Sequence, residues 1–124
     1  MHVLSSKTNV LGNIYSTNTL ITKNIDVYVK TTILQISNLP AGMYIVTTQV
    51  QGEKSCTGGL LEIHGTNHEY GDRVMNSATP GFILNAGSSS IFRIKTGTGS
   101  IFTQVYLKEE NTLIVGWLTA CRIV

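Results

Sequence analysis

Charged side chains are scarce in this sequence. Asp, Glu, Lys and Arg make up 13% of the 124 residues, about half of their share in a typical soluble domain. The formal net charge is +2, and the nine basic residues form no run between Lys7 and Arg122. Because nucleic-acid binding needs a concentrated basic face, we expect no nucleic-acid partner. Thr, Ser, Asn and Gly fill the difference, and such uncharged polar surfaces bury easily against another subunit.

Cysteine and long apolar runs are also scarce. No stretch approaches the roughly 20 apolar residues of a membrane span, so no membrane insertion is expected. The start of the chain, Met-His-Val-Leu-Ser-Ser, lacks the layout of a secretion signal. Cys56 and Cys121 are too few for a disulfide framework and have no partner at metal-binding spacing. We expect two free thiols, with Cys121 buried.

Helical periodicity is hard to find, because Ala occurs only four times and Gly and Thr interrupt the longer windows. Alternation of apolar and polar residues is frequent instead. In residues 43–51, for example, Tyr44, Val46, Thr48 and Val50 share one face. The sequence therefore predicts an all-β fold, an antiparallel β-sandwich or jelly roll of about eight to ten short strands. We expect a single domain over residues 1–124, in which residues 1–30 are a peripheral segment or a shaft connection.

Three irregular segments separate the predicted strands. Leu39-Pro-Ala-Gly42 has the composition of a tight turn, and Thr96-Gly-Thr-Gly-Ser100 is typical of a hairpin loop. The longest irregular stretch is residues 65–81, in which Met75 is a candidate for a short strand.

Three segments carry a resemblance to a known group of proteins. They are Ser-Asn-Leu-Pro-Ala-Gly-Met-Tyr-Ile-Val at 37–46, Ser-Ile-Phe-Arg-Ile-Lys at 90–95 with the strand at 101–106, and the closing residues 111–124. Together they resemble the distal head domains of bacteriophage tail-fibre and receptor-binding proteins. They are also similar to the trimeric jelly rolls of tumour necrosis factor-like and complement-type globular heads. The resemblance covers roughly residues 33–124 and implies three copies around an axis, with tip loops that contact a receptor. The chain is then either a fragment of a longer fibre or a small stand-alone virion protein.

The segment 62–72 concentrates side chains that could bind a ligand, including two histidines and three carboxylates. His and carboxylate groups suit divalent metals, but Gly65 and Asn67 indicate a loop, in which the spacing of His64 and His68 promises no metal geometry. We therefore expect no metal. Within the long loop, His68, Tyr70, Asp72 and Arg73 offer a ring, both charge signs and several hydrogen-bonding groups, and we predict that they bind a polar, sugar-like ligand. A solvated connecting loop remains the alternative.

Catalytic patterns are absent from the sequence. The serines at 88–90 do not lie in a Gly-x-Ser-x-Gly elbow. Glu109 and Glu110 are adjacent, so in a strand they point in opposite directions. No Gly-rich loop precedes a helix and could hold a phosphate. We expect no catalytic residues, no cofactor and no enzymatic activity.

The last run, residues 112–124, is apolar on both faces and would promote aggregation as a lone edge strand. We predict that one face of it forms the interface of a closed homotrimer, with a dimer as the alternative. That face carries Leu113, Val115, Trp117 and Ile123.

The leading functional hypothesis combines these features. The chain is expected to be a virion component on the exterior of a tail or capsid, a trimeric fibre-tip or decoration domain. Its partners would be other virion proteins and a host-surface glycan or protein. The alternative is a cellular sugar-binding or cytokine-like extracellular module with the same sandwich.

Overall fold

The computed structural model describes residues 8–17, 23–55, 58–76 and 83–123. These residues form an antiparallel all-β fold with no helix among them. Their eight strands are β1 (Thr8–Leu11), β2 (Ile14–Thr17), β3 (Lys23–Ile25), β4 (Thr31–Ser55), β5 (Gly59–Gly65), β6 (Arg73–Asn76), β7 (Ile83–Leu107) and β8 (Asn111–Arg122). The fold class predicted from alternation is confirmed.

Two very long strands dominate the architecture. β4 and β7 have 25 residues each and pair with one another along their whole lengths. The predicted tight turn at Pro40 and the predicted hairpin at 96–100 are therefore wrong, since both segments lie inside continuous strands. They mark β-bulges instead: Pro40 pairs with Thr98, whereas Gly42 pairs with Ile94, so β7 carries two extra residues at this point. Bulges bend a strand and increase its twist, and turn-forming residues supply the required backbone angles.

The bend divides the ribbon between two layers. The first sheet contains residues 43–51 of β4 and 85–93 of β7, extended by β8, β2 and β1. The second sheet contains residues 31–36 of β4 and 101–107 of β7, extended by β5 and β6. The hydroxyls of Thr48 in the first sheet and Thr103 in the second are 2.9 Å apart and buried, although these residues are not ladder partners. The two sheets thus face each other as a sandwich, with strands that change sheet at bulges.

The core fills the space between the two inner faces. Tyr44, Val46, Thr48 and Val50 are all buried, which confirms the predicted inward face of residues 43–51. The same alternation holds in β7, where Phe92 and Ile94 are buried and Arg93 and Lys95 are exposed. The largest fully buried side chains are Tyr44, Phe92, Ile33, Leu34, Ile36, Leu39, Leu61, Ile63, Ile94, Ile101 and Leu107.

The described part of the N-terminal segment is paired with the rest of the sandwich. β2 pairs with β8 at its C-terminal end, and β3 pairs with β8 at its N-terminal end. Val27 then forms a parallel bridge with Leu107, at the end of β7. Residues 23–27 therefore connect the first sheet to the second at one end of the sandwich. The weak strand expected at residues 2–5 lies outside the described residues.

Candidate functional site

The loop between β5 and β6, residues 66–72, lies against the bend of β7 (hereafter the 66–72 loop). Backbone hydrogen bonds tie it along this strand: the Thr66 amide donates to the Ser100 carbonyl at 2.9 Å, and the Glu69 amide donates to the Arg93 carbonyl at 3.1 Å. In the other direction, the Lys95 amide donates to the Asn67 carbonyl at 2.8 Å. The irregular stretch predicted at 65–81 is interrupted by β6, which begins at residue 73 and includes Met75, the predicted candidate for a short strand; residues 77–81 lie outside the described residues.

Asn67 fixes the bulge to this loop. Its backbone has a positive φ of 51°, a conformation that Asn tolerates better than most residues. Its side-chain amide lies 3.3, 3.2 and 3.0 Å from the carbonyl oxygens of Lys95, Thr96 and Thr98. A single side chain thus connects the loop to three backbone carbonyls of the bulge region. The sequence identified Asn67 as a loop residue but gave no sign that its side chain would bind the bulge.

Gly71 allows the loop to approach the core closely. A Cβ at this position would lie 2.5 Å from Cγ of Phe92, and the backbone φ is +127°. The Ser90 hydroxyl donates a hydrogen bond to the Gly71 carbonyl. The short distance to Phe92 and the positive φ show that this turn fits only a residue without a side chain.

A chain of histidines and carboxylates lies beneath the same loop. Glu62 Oε1 is 2.8 Å from His64 Nε2, and His64 Nδ1 is 3.5 Å from Asp72 Oδ1. Asp72 Oδ1 is also 2.9 Å from His68 Nε2 and accepts a hydrogen bond from the Gly65 amide at 3.3 Å. A neutral imidazole has one donor nitrogen, so only protonated His64 can donate to both of its carboxylate neighbours. These contacts fasten the end of the 66–72 loop to β5.

Glu62 is the buried end of this chain. Its side chain is 2% exposed, and its Oε1 also accepts from Lys30 Nζ at 3.2 Å. Burial raises the pKa of Glu62, but the hydrogen bonds from His64 and Lys30 outweigh it, so the pKa lies below its ordinary value. The second oxygen, Oε2, is buried without a hydrogen-bond partner among the described residues. The carboxylate is therefore held charged in place by its two basic neighbours.

A cleft of about 520 Å³ lies where the 66–72 loop meets the bend. It is lined by Ala41, Gly42, Met43, Glu69, Arg93, Ile94, Lys95 and Thr96. Tyr70 stands beside it, 46% exposed, with its hydroxyl 3.8 Å from Met43 Sδ. The cleft thus combines apolar and charged lining residues with an exposed aromatic ring beside it, a mixture that suits a small polar ligand.

Of the four predicted ligand-binding residues, one lies beside the cleft, two hold the loop in place, and the side chain of the fourth is not described. Tyr70 is exposed beside the cleft, whereas His68 is mostly buried, with its ring 5.4 Å from that of Phe92. Asp72 is half exposed but is engaged with both histidines. Arg73 begins β6 opposite Ile63, and its side chain lies outside the described part of the structure. Arg93, Lys95 and Glu69 line the cleft but were not among the predicted residues, because they are distant in sequence or carry no motif.

The predicted interface residues of β8 do not all share one face. Leu113 is fully buried in the core, so it does not lie on the outer face as expected. The reason is a register shift in the β4–β8 ladder, where Gln51 pairs with Val115 but Gly52 pairs with Leu113. Val115 and Ile123 are exposed on the outer face of the first sheet, and Trp117 is partly exposed there.

Further apolar side chains continue this outer face. Ile91, Ile45, Cys121 and Ile14 form one cross-strand row through four paired strands. The three isoleucines are 48%, 43% and 43% exposed. Cys121 is a half-buried free thiol, rather than a core residue as expected; Cys56 lies outside the described residues.

Neither a metal-binding cluster nor a membrane-spanning helix is present among the described residues. No group of three or more His, Cys, Asp or Glu side chains is placed to hold a metal ion. No helix in this part of the chain has the length and apolarity to cross a membrane.

Distant structural neighbours exist among known proteins, and one of them is a carbohydrate-binding module. No protein-family model and no curated protein matches the sequence. Among solved structures, the chain is similar to TmCBM61, a carbohydrate-binding module solved in complex with β-1,4-galactotriose, at 20% sequence identity and a TM-score of 0.40. The match covers 87% of this chain and 65% of that module, so the chain spans slightly less than two thirds of its neighbour's length. This neighbour is not a tail-fibre protein, and the tail-fibre resemblance stays a hypothesis.

Proposed function

We propose that this chain is a non-enzymatic attachment protein of a virion, which binds a host-surface glycan in the cleft between the 66–72 loop and the bend of β7. The observation that carries the proposal is the exposed Tyr70 ring beside a cleft that is lined by both apolar and charged residues. Sugars present apolar ring faces and a rim of hydroxyls, so they need both kinds of surface.

The fixed geometry of the loop supports binding rather than a purely connecting role. Asn67, Gly71 and the histidine–carboxylate chain hold the loop before any ligand arrives. A site that is already ordered loses less conformational entropy on binding. A merely solvated connection would not need these contacts.

We further propose that the chain assembles as a homotrimer through the outer face of the first sheet. The exposed row of Ile14, Ile45 and Ile91 continues to Val115 and Ile123 on the same face. This row carries no formal charge, so three copies of it can meet around a threefold axis without repulsion between like charges; Arg93 lies at its edge, two residues from Ile91. Trimerisation would place three clefts on one particle tip and strengthen attachment by multivalency.

The location on a virion is the part of the proposal that comes from the tail-fibre resemblance. A cellular sugar-binding module would use the same cleft. The two are distinguished by whether an antibody against the chain labels purified particles or a cellular fraction. Labelling at the exterior of a tail or capsid is expected, and labelling of cells alone would favour the cellular module.

The glycan site is tested with a matched pair of tyrosine variants on a glycan array. Tyr70→Ala should weaken binding about tenfold, which corresponds to ~1.4 kcal/mol. Tyr28→Ala is the control, because Tyr28 is 63% exposed and lies against Tyr106 in the second sheet. Parent-like binding by Tyr70→Ala, or an equal loss in Tyr28→Ala, would contradict the assignment of the cleft.

A further inference from the structure

We infer that the preferred ligand of the cleft is an acidic sugar, whose carboxylate pairs with Arg93 and Lys95. This inference rests on the proposed function and names the chemical class of its glycan. Two cationic side chains and one carboxylate, Glu69, line the cleft. In a chain with only nine basic residues, this places an excess of positive charge at the binding surface.

Glu69 does not satisfy Arg93. Its Oε2 is 3.7 Å from Arg93 Nε, and the two side chains are 46% and 55% exposed. Ion pairs of this length and exposure contribute little. A guanidinium has five N–H donors, so the group can receive a ligand carboxylate through a two-bond fork while it keeps its contact with Glu69.

The neighbouring backbone holds both cations on the same side of the strand. Arg93 and Lys95 are exposed on either side of the buried Ile94, and both line the cleft. The Arg93 carbonyl and the Lys95 amide are both bonded to the 66–72 loop. The positions from which the two side chains extend are therefore fixed by the same contacts that order the loop.

Apolar groups beside these charges complete the cleft. Gly42 and Met43 are partly exposed there and offer an apolar contact for a sugar ring, with Tyr70 at the edge, whereas Ile94 is buried. A neutral sugar would make the same ring contacts but would leave Arg93 and Lys95 without a new partner.

The test compares two trisaccharides that differ only in oxidation at C6, galacturonic acid and galactose. Binding is measured by calorimetry on the full chain at low and high salt. The acidic sugar should bind at least tenfold more tightly at low salt, and this ratio should shrink at high salt because the charges become screened.

Arg93→Met removes the charge and keeps most of the side-chain length. It should bring the ratio of acidic to neutral affinity close to one. Lys108→Met is the matched control, since Lys108 is exposed just beyond the end of β7 and changes the net charge equally; its ratio should equal that of the parent.

The outcomes separate this inference from the proposed function. If galactose binds as tightly as galacturonic acid and Tyr70→Ala weakens both, the glycan site stands and the acidic preference is wrong. The same holds if Arg93→Met leaves the ratio unchanged. If neither sugar binds and the glycan array is also negative, both proposals fail.

Discussion

The 66–72 loop and the outer face of the first sheet are both accessible, but they are built in different ways. The loop is held by hydrogen bonds from side chains to the backbone, by the chain of histidines and carboxylates, and by a glycine packed on Phe92. The outer face displays isoleucines on regular paired strands. Order in the loop depends on a few specific residues, whereas the sheet face is ordered by its backbone ladder whatever side chains it carries. Substitutions in the loop should therefore change the free energy of unfolding, whereas substitutions on the outer face should change the association of subunits.

The largest expected loss of stability comes from Gly71→Ala. The added Cβ would lie 2.5 Å from a ring atom of the fully buried Phe92 and 2.8 Å from the Ile91 carbonyl. The backbone angle of +127° is also unfavourable for alanine. Strain plus overpacking should lower the free energy of unfolding by about 3 kcal/mol or more, as measured by urea denaturation.

Gly12→Ala is the matched control for this substitution. Gly12 also has a positive φ, +59°, but a Cβ there meets no atom within 4 Å. It should cost only the backbone strain, about 1 kcal/mol. Equal losses in the two variants would show that the close approach of the loop to Phe92 is not what limits residue 71.

A loss of intermediate size is expected from Glu62→Gln. At neutral pH it weakens two charge-assisted hydrogen bonds at a buried position, which should cost about 1–3 kcal/mol. Because the pKa of Glu62 is lower in the folded chain, its contribution is fully present above the unfolded pKa of about 4.3. That contribution disappears as the pH falls through the folded value.

The acid dependence gives this prediction its sharpest test. The parent should lose stability below about pH 4.3 more steeply than Glu62→Gln, so the difference between them should narrow in acid. Glu53→Gln is the control, since Glu53 is exposed and should follow the parent. A difference between Glu62→Gln and the parent that stays constant down to pH 2 would show that the carboxylate is not stabilised in its charged form.

Much of the fold could be predicted from alternation alone, because period-two patterns report directly which side chains face the core. The inward residues of 43–51 and the exposed Arg93 and Lys95 follow from it. The predictions that were wrong are the tight turn at Pro40 and the hairpin loop around Gly97. Pro and Gly mark irregular backbone, but the sequence does not show whether the chain reverses or only bends, since that depends on the pairing of distant strands.

Only some residues of the candidate site were named from the sequence. Tyr70 was identified because loops concentrate binding residues. Arg93 and Lys95 were missed because they were assigned to a strand that ended in a hairpin, whereas the bulge places them beside the 66–72 loop. Leu113 was placed on the wrong face by a single register shift, because one extra residue reverses the direction of every following side chain.

The smallest effect on the stability of the chain itself, and the clearest effect on its assembly, is expected from Ile45→Thr combined with Ile91→Thr. The two residues are ladder partners and are about half exposed. Threonine keeps the β-branched shape that strands favour, so the free energy of unfolding of the separated chain should change by less than about 0.5 kcal/mol.

If the outer face joins the subunits, the parent should sediment as a trimer of the 13.5 kDa chain and the double variant as a monomer. Val29→Thr is the control, because Val29 is 51% exposed and lies just before β4, in the segment that leads into the second sheet; it should remain trimeric. A monomeric parent would disprove the assembly, and a trimeric double variant would show that the subunits meet through another surface.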